Sequence, residues 1–192
     1  MAKNPGSLRL FYALWPDDAT ANRLQQLQAP MHGRRIPYSN LHMTLVFLGQ
    51  QPAALLPELK DILARIPRTD LTLTLARVGY FPRNRIAWAG PVQTPEPLSA
   101  LHGALVQELQ NRKVAFNDQH RYNPHVTLAR DATLPPDLAF DPIEWHVTQA
   151  ALVQSTTTAE GSIYQILSSR AIDKEVWVAD EGRREGIDAP RA

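Results

Sequence analysis

His42-Met43-Thr44-Leu45-Val46-Phe47 and His125-Val126-Thr127-Leu128-Ala129-Arg130 share one tetrapeptide pattern, His-x-Thr-Leu, repeated 83 residues apart. The first copy lies in Leu41 to Leu48 (LHMTLVFL), a run rich in β-branched and aromatic residues that stops at Gly49 and reads as a strand. The second, His125 to Arg130 (HVTLAR), reads as a strand behind the loop Asn117 to Pro124. Side chains at i and i+2 of a strand share a face, so each His projects beside its own Thr. One such tetrapeptide means little, because a lone strand histidine is usually structural and Thr is a good strand former. Two copies, at corresponding places in two halves of similar layout, indicate an internal duplication with a site at the junction.

Outward from the first copy, Leu8 to Leu14 (LRLFYAL) reads as a strand ended by Trp15-Pro16. Asp17 or Asp18 caps a helix whose apolar face carries Ala19, Leu24 and Leu27. A helix from about Ala53 to Arg65 holds Pro57 near its start, where the first turn tolerates it. Leu71 to Val78 (LTLTLARV) alternates as one half-exposed antiparallel strand, and Arg85 to Ala89 as another. The second half repeats the order. Leu98, Leu101, Leu105 and Leu109 have helical spacing, and Trp145 to Ser155 and Ser162 to Ser169 read as strands around the turn TTTAEG. Helices and strands mix without regular βαβ alternation, so the expected class is α+β. Residues 1–172 are expected to form one domain, followed by a charged tail over residues 173–192.

Composition narrows the chemistry. With 192 residues, 44% hydrophobic and 20% charged, the chain can build a core. A net charge of +1 gives no strong field toward nucleic acid or an anionic membrane, so any nucleic acid must be held locally. No cysteine is present, which excludes disulfides, zinc–thiolate sites, iron–sulfur clusters and a thiol nucleophile. No segment has the length of a signal peptide or a membrane span, so the expected location is the cytoplasm. There is no HExxH or His/Asp cluster of metal-ligand spacing, and no Walker-type GxxxxGK[ST] loop.

Histidine titrates near neutrality, so a facing pair suits a reaction needing a base on one side and an acid on the other. In-line displacement at phosphorus is such a reaction, with Thr hydroxyls donating to the non-bridging oxygens as charge gathers there. The residues resemble the two-histidine (2H) phosphoesterases, and within them the bacterial RNA 2′,3′-cyclic phosphodiesterases, also called 2′-5′ RNA ligases. The family motifs His-x-Thr-x-x-Phe and His-x-Thr-x-x-Arg match the two hexapeptides. The likeness extends to LRLFYALWP, NLHMTLVFLG, VGYFP, RIAWAG, LHGAL and NPHVTLAR, covering roughly residues 7 to 170.

The resemblance implies a bilobal α+β fold, with two antiparallel sheets related by a pseudo-twofold, helices outside and the active site in the groove between lobes. It implies metal-free hydrolysis of a terminal RNA 2′,3′-cyclic phosphate to a 2′-phosphate, without a cofactor, by a monomer. His42 would be the proton donor to O3′ and His125 the base for water. Thr44, Thr127 and Arg130 would hold the phosphate, and Phe47 would pack at the base. The alternatives are 2′-5′ joining, action on a small cyclic nucleotide, or an RNA-binding module without turnover.

Strand geometry leaves one difficulty. Phe47 and Arg130 lie five residues after their histidines, an odd offset that points them away from the site unless a bulge or strand end turns them. Otherwise Phe47 is core and Arg130 a rim residue. His32, His102, His120 and His146 have no repeated context and read as surface or structural residues. Arg34 with Arg35, and Arg83 with Arg85, form small basic spots able to guide RNA, while Tyr38, Tyr80, Phe81 or Tyr122 could stack bases.

Overall fold

The computed structural model describes residues 6–118, 121–158 and 161–173. The first half runs β1 (Ser7–Leu14), α1 (Asp18–Leu27), β2 (Arg34–Arg35), β3 (Met43–Pro52), α2 (Leu56–Arg65), β4 (Thr72–Leu75), β5 (Arg77–Phe81) and β6 (Ile86–Gly90). The second runs α3 (Glu96–Asn111), β7 (Val126–Arg130), β8 (Ile143–His146), β9 (Gln149–Thr158) and β10 (Gly161–Ala171). The α+β class and the helical segments are as expected. Asp17 caps α1 by accepting the Thr20 N–H at 2.7 Å, and Pro57 sits in the first turn of α2.

The strands lie in the order β10-β9-β1-β3-β7-β6-β5, with β2 added to β7, while β4 and β8 form a separate antiparallel pair. The long sheet is two four-stranded halves whose strands are joined, among the described residues, by one ladder pair, Met43 opposite Val126. That single pairing is the seam between the lobes. The core lies on one side of it. Leu98, Leu101, Leu105 and Leu109 of α3, Leu59, Ile62 and Leu63 of α2, and Leu24 of α1 are all buried there, with Met43 and Val126 beneath them. Each fully buried Leu or Ile contributes roughly 1.5–3 kcal/mol by leaving water. The Tyr12 hydroxyl donates to the Leu59 carbonyl at 2.7 Å, tying α2 to the sheet. With all three helices on this face, the opposite face carries smaller groups: Phe11, Ala13, Ala151 and Val153 flanked by Trp15 and Tyr164 on one half, and Phe81 stacked on Trp88 on the other.

Three strand readings need correction. The strand expected to stop at Gly49 continues to Pro52, because Gly49 takes a positive φ of 69° and bends the strand without ending its pairing with β1. The alternating run Leu71–Val78 is two strands. Leu73 and Leu75 pair with β8, and after Ala76 the chain crosses to pair with β6. Trp145–Ser155 likewise spans the end of β8 and the start of β9. Alternation reports which side chains are buried; it carries no information on which neighbour supplies the hydrogen bonds. Of the expected tail, residues 174–192 lie outside the described residues, as does His120.

Candidate active site

Met43 and Val126 are fully buried, so the residues flanking them point the other way, out of the helix-covered core. Extending the antiparallel register by one residue sets His42 across from Thr127 and Thr44 across from His125. The two motifs therefore form one quartet on the open face, related by a twofold through the seam. All four side chains are partly exposed.

The odd-offset problem is solved by a pair of bulges. Along β1, the adjacent residues Tyr12 and Ala13 face Val46 and Thr44, leaving Leu45 extra in β3. Along β6, Ala87 and Trp88 face Ala129 and Thr127, leaving Leu128 extra in β7. Both leucines of the repeated His-x-Thr-Leu are thus bulged residues, each followed by a second buried residue. The shift returns Phe47 and Arg130 to the face of the histidines. Phe47 is 53% exposed and its ring lies 5.8 Å from that of Phe11, which is 5.0 Å from His42. This exposure removes the alternative, left open by strand parity, in which Phe47 is core.

Both histidines are held identically. His42 Nδ1–H donates to the Asn40 carbonyl at 2.6 Å, and His125 Nδ1–H donates to the Asn123 carbonyl at 2.7 Å. A carbonyl only accepts, so each Nδ1 carries the proton and each Nε2 keeps the free lone pair of the neutral ring. Aromatic walls complete the setting. Trp15 stacks on His42 at 5.4 Å and Tyr164 meets it edge-on at 5.1 Å. Phe81 meets His125 edge-on at 5.1 Å, with Trp88 at 6.2 Å. Gly79 makes room for Trp88, since a Cβ there would lie 2.1 Å from the indole. Burial among these groups pushes His42 down to about 4, opposed by its bond to Asn40 and reinforced by His125 and Arg130. His125 is lowered for the same leading reason, with Arg130 adding to it.

Phe11, Trp15, Trp88 and Tyr164 escaped the sequence reading, since the walls come from strands distant in the chain. The asparagines had a signal: the repeat is Asn-x-His-x-Thr-Leu, two residues longer than the tetrapeptide. Of the aromatics read as base platforms, only Phe81 touches a motif histidine. Tyr38 donates to Asp18 at 2.9 Å, Tyr80 to the Ala132 carbonyl at 2.9 Å, and Tyr122 stacks on His102 at 4.0 Å. Arg35 and Arg85 are engaged by main-chain carbonyls, of Ala29 and Asp131 respectively. Among the described residues, no three His, Asp or Glu side chains gather into a group able to hold a metal, and no helix is long and apolar enough to cross a membrane.

Two antiparallel half-sheets meeting at a seam flanked by paired His and Thr define a two-histidine phosphoesterase. The model of the 2′-5′ RNA ligase superfamily matches residues 16–159, and the chain belongs to that family. An RNA 2′,3′-cyclic phosphodiesterase of Escherichia coli is 37% identical over 111 residues, 56% of this chain and 62% of that protein. One from Thermus thermophilus is 30% identical over 183 residues, 88% of this chain and 92% of its own. The crystal structure of Escherichia coli LigT complexed with 3′-AMP superposes with a TM-score of 0.75 at 29% identity, covering 88% of this chain and 99% of that one.

Proposed function

We propose that this chain hydrolyses RNA ends bearing a 2′,3′-cyclic phosphate to 2′-phosphomonoesters, by acid–base catalysis between His42 and His125 without a metal. The observation that carries the reading is the matched pair of imidazoles, each fixed through Nδ1 with Nε2 left for proton transfer, astride one seam. The activity named for the Escherichia coli and Thermus thermophilus relatives agrees with it.

In the mechanism, His125 Nε2 takes a proton from water as the water oxygen attacks phosphorus. The P–O3′ bond breaks in line, and His42, protonated at Nε2, delivers its proton to O3′. The 2′-oxygen keeps the phosphate. Thr44, Thr127 and Arg130 donate to the non-bridging oxygens, and Phe47 lies against the base. The strained ring supplies part of the driving force, so the protein contributes mainly positioning and charge stabilisation. The test is product analysis of an RNA ending in a 2′,3′-cyclic phosphate, incubated with the protein in EDTA. A 2′-phosphate is expected; activity lost to EDTA and restored by Mg²⁺ or Mn²⁺ would overturn the metal-free mechanism.

The lowered histidines set the pH response. The productive form has His125 neutral and His42 protonated. Activity is lost as pH falls through the pKa of the base and as it rises through that of the acid. Both lie below the ordinary histidine value, so kcat/KM is expected to trace a bell centred below pH 6.5. The bound phosphodiester's negative charge favours imidazolium, so kcat alone should peak at higher pH than kcat/KM. A kcat/KM optimum above pH 7 would contradict this.

Phe47→Leu removes a ring from the open face while leaving the core intact. It is expected to raise KM on the order of 3–10-fold, the loss of one stacked base contact, with thermal unfolding nearly unchanged. A collapse in stability would show that the ring is structural.

A further inference from the structure

Arg130 has a second guanidinium beside it that attack at the terminal phosphate does not use. β2 is only Arg34 and Arg35, and Arg34 stands directly opposite Arg130 in the pairing with β7. Opposed residues share a face, and like charges so placed repel. The fold nevertheless holds β2 there tightly. Gly33 passes the β7 end with φ 109°, where a Cβ would lie 2.6 Å from the Arg130 carbonyl oxygen. The buried Gln28 amide donates to the Ile36 carbonyl at 2.9 Å and to the Leu128 carbonyl, at the bulge, at 2.8 Å. The Ile36 N–H also donates to the Leu128 carbonyl, at 2.9 Å.

The side chain held this way is accessible. Among the described residues Arg34 has one ion pair, with Asp131 at 3.5 Å, and both side chains are more than half exposed. A pair of that kind contributes little and is readily exchanged for a phosphate. Arg34 also reaches across the groove, because a Cβ on Gly161 at the start of β10 would lie 3.4 Å from Nη1. Next along β10, the Ser162 carbonyl accepts from the Asn40 side chain at 2.9 Å, and Tyr164 borders His42. Arg34 therefore stands one strand outward from Arg130, on the same groove. That strand-to-strand step, about 4.8 Å, is within reach of two neighbouring phosphates of one chain when long guanidinium side chains carry the contacts.

We propose that Arg34 binds the internucleotide phosphate on the 5′ side of the terminal nucleotide while Arg130 holds the terminal one, making the site selective for an RNA chain over a cyclic mononucleotide. This rests on the phosphodiesterase reading above. The probes are a fluorescent tetranucleotide ending in a 2′-phosphate, followed by anisotropy, and a nucleoside 2′-monophosphate competing with it. Arg34→Ala is expected to lower the affinity ratio of tetranucleotide to mononucleotide on the order of tenfold, the scale of one charge-assisted contact. It should also flatten the salt dependence of log Kd for the tetranucleotide by about 0.7, one phosphate's share on a single strand. Arg130→Ala should weaken both ligands and keep their ratio. Equal loss for both ligands in Arg34→Ala, or no loss, overturns the assignment. Failure of the wild-type protein to open any cyclic phosphate would instead defeat the hydrolytic reading, with the binding ratio still deciding the role of Arg34.

Discussion

Replacing His42 or His125 with alanine is expected to lower kcat/KM on a 2′,3′-cyclic phosphate end on the order of 10²–10⁴-fold, the scale of a positioned general acid or base. Neither change should unfold the protein, because both rings stand on the open face and the flanking Met43 and Val126 carry the packing. The roles separate when the leaving group is changed. An aryl phosphodiester expels an oxygen that needs little protonation. In the proposed division of labour it partly rescues His42→Ala and leaves His125→Ala crippled, since water still needs a base. Rescue of His125→Ala alone would reverse the two assignments. Rescue of neither would show that His42 does more than protonate the departing oxygen, and would leave the division of roles unproved.

Arg130→Ala is the second large expected loss, on the order of 10²–10³-fold, comparable to removing a donor aimed at developing charge. Arg130→Lys should recover part of it, because the point charge remains while the planar fork that matches two phosphate oxygens is gone. A further signature separates a groove residue from a rim residue. Arg130 lowers both histidines through its positive charge, so its removal should move the kcat/KM bell to higher pH. Wild-type rates and an unmoved bell in both variants would place Arg130 outside the reacting groove. The bulge at Leu128 sets this placement, since without it Arg130 would point into the helix-covered face.

The repeated His-x-Thr-Leu was enough to locate the seam, because strand periodicity puts His and Thr on one face wherever the strand goes. The leucines of α3 and the Asp17 cap were equally legible, being local patterns with local causes. Pairing was not. Leu71 to Val78 reads as one strand although its two ends belong to Thr72–Leu75 and Arg77–Phe81, which serve different sheets, because an alternating run shows its faces and never its partners. The two-residue strand Arg34–Arg35 has no periodicity to read at all.

For the site, the amino-acid sequence by itself singled out the side chains proposed to carry the chemistry: two imidazoles, two hydroxyls, a guanidinium and a ring at matched offsets. Only the tertiary structure decided that the last two face the first four. A bulge is a relation between two strands: Leu45 and Leu128 are supernumerary only when counted against Tyr12–Ala13 and Ala87–Trp88. The aromatic walls that lower the histidines are decided the same way, since Trp15, Tyr164, Phe81 and Trp88 reach them from four other places in the chain.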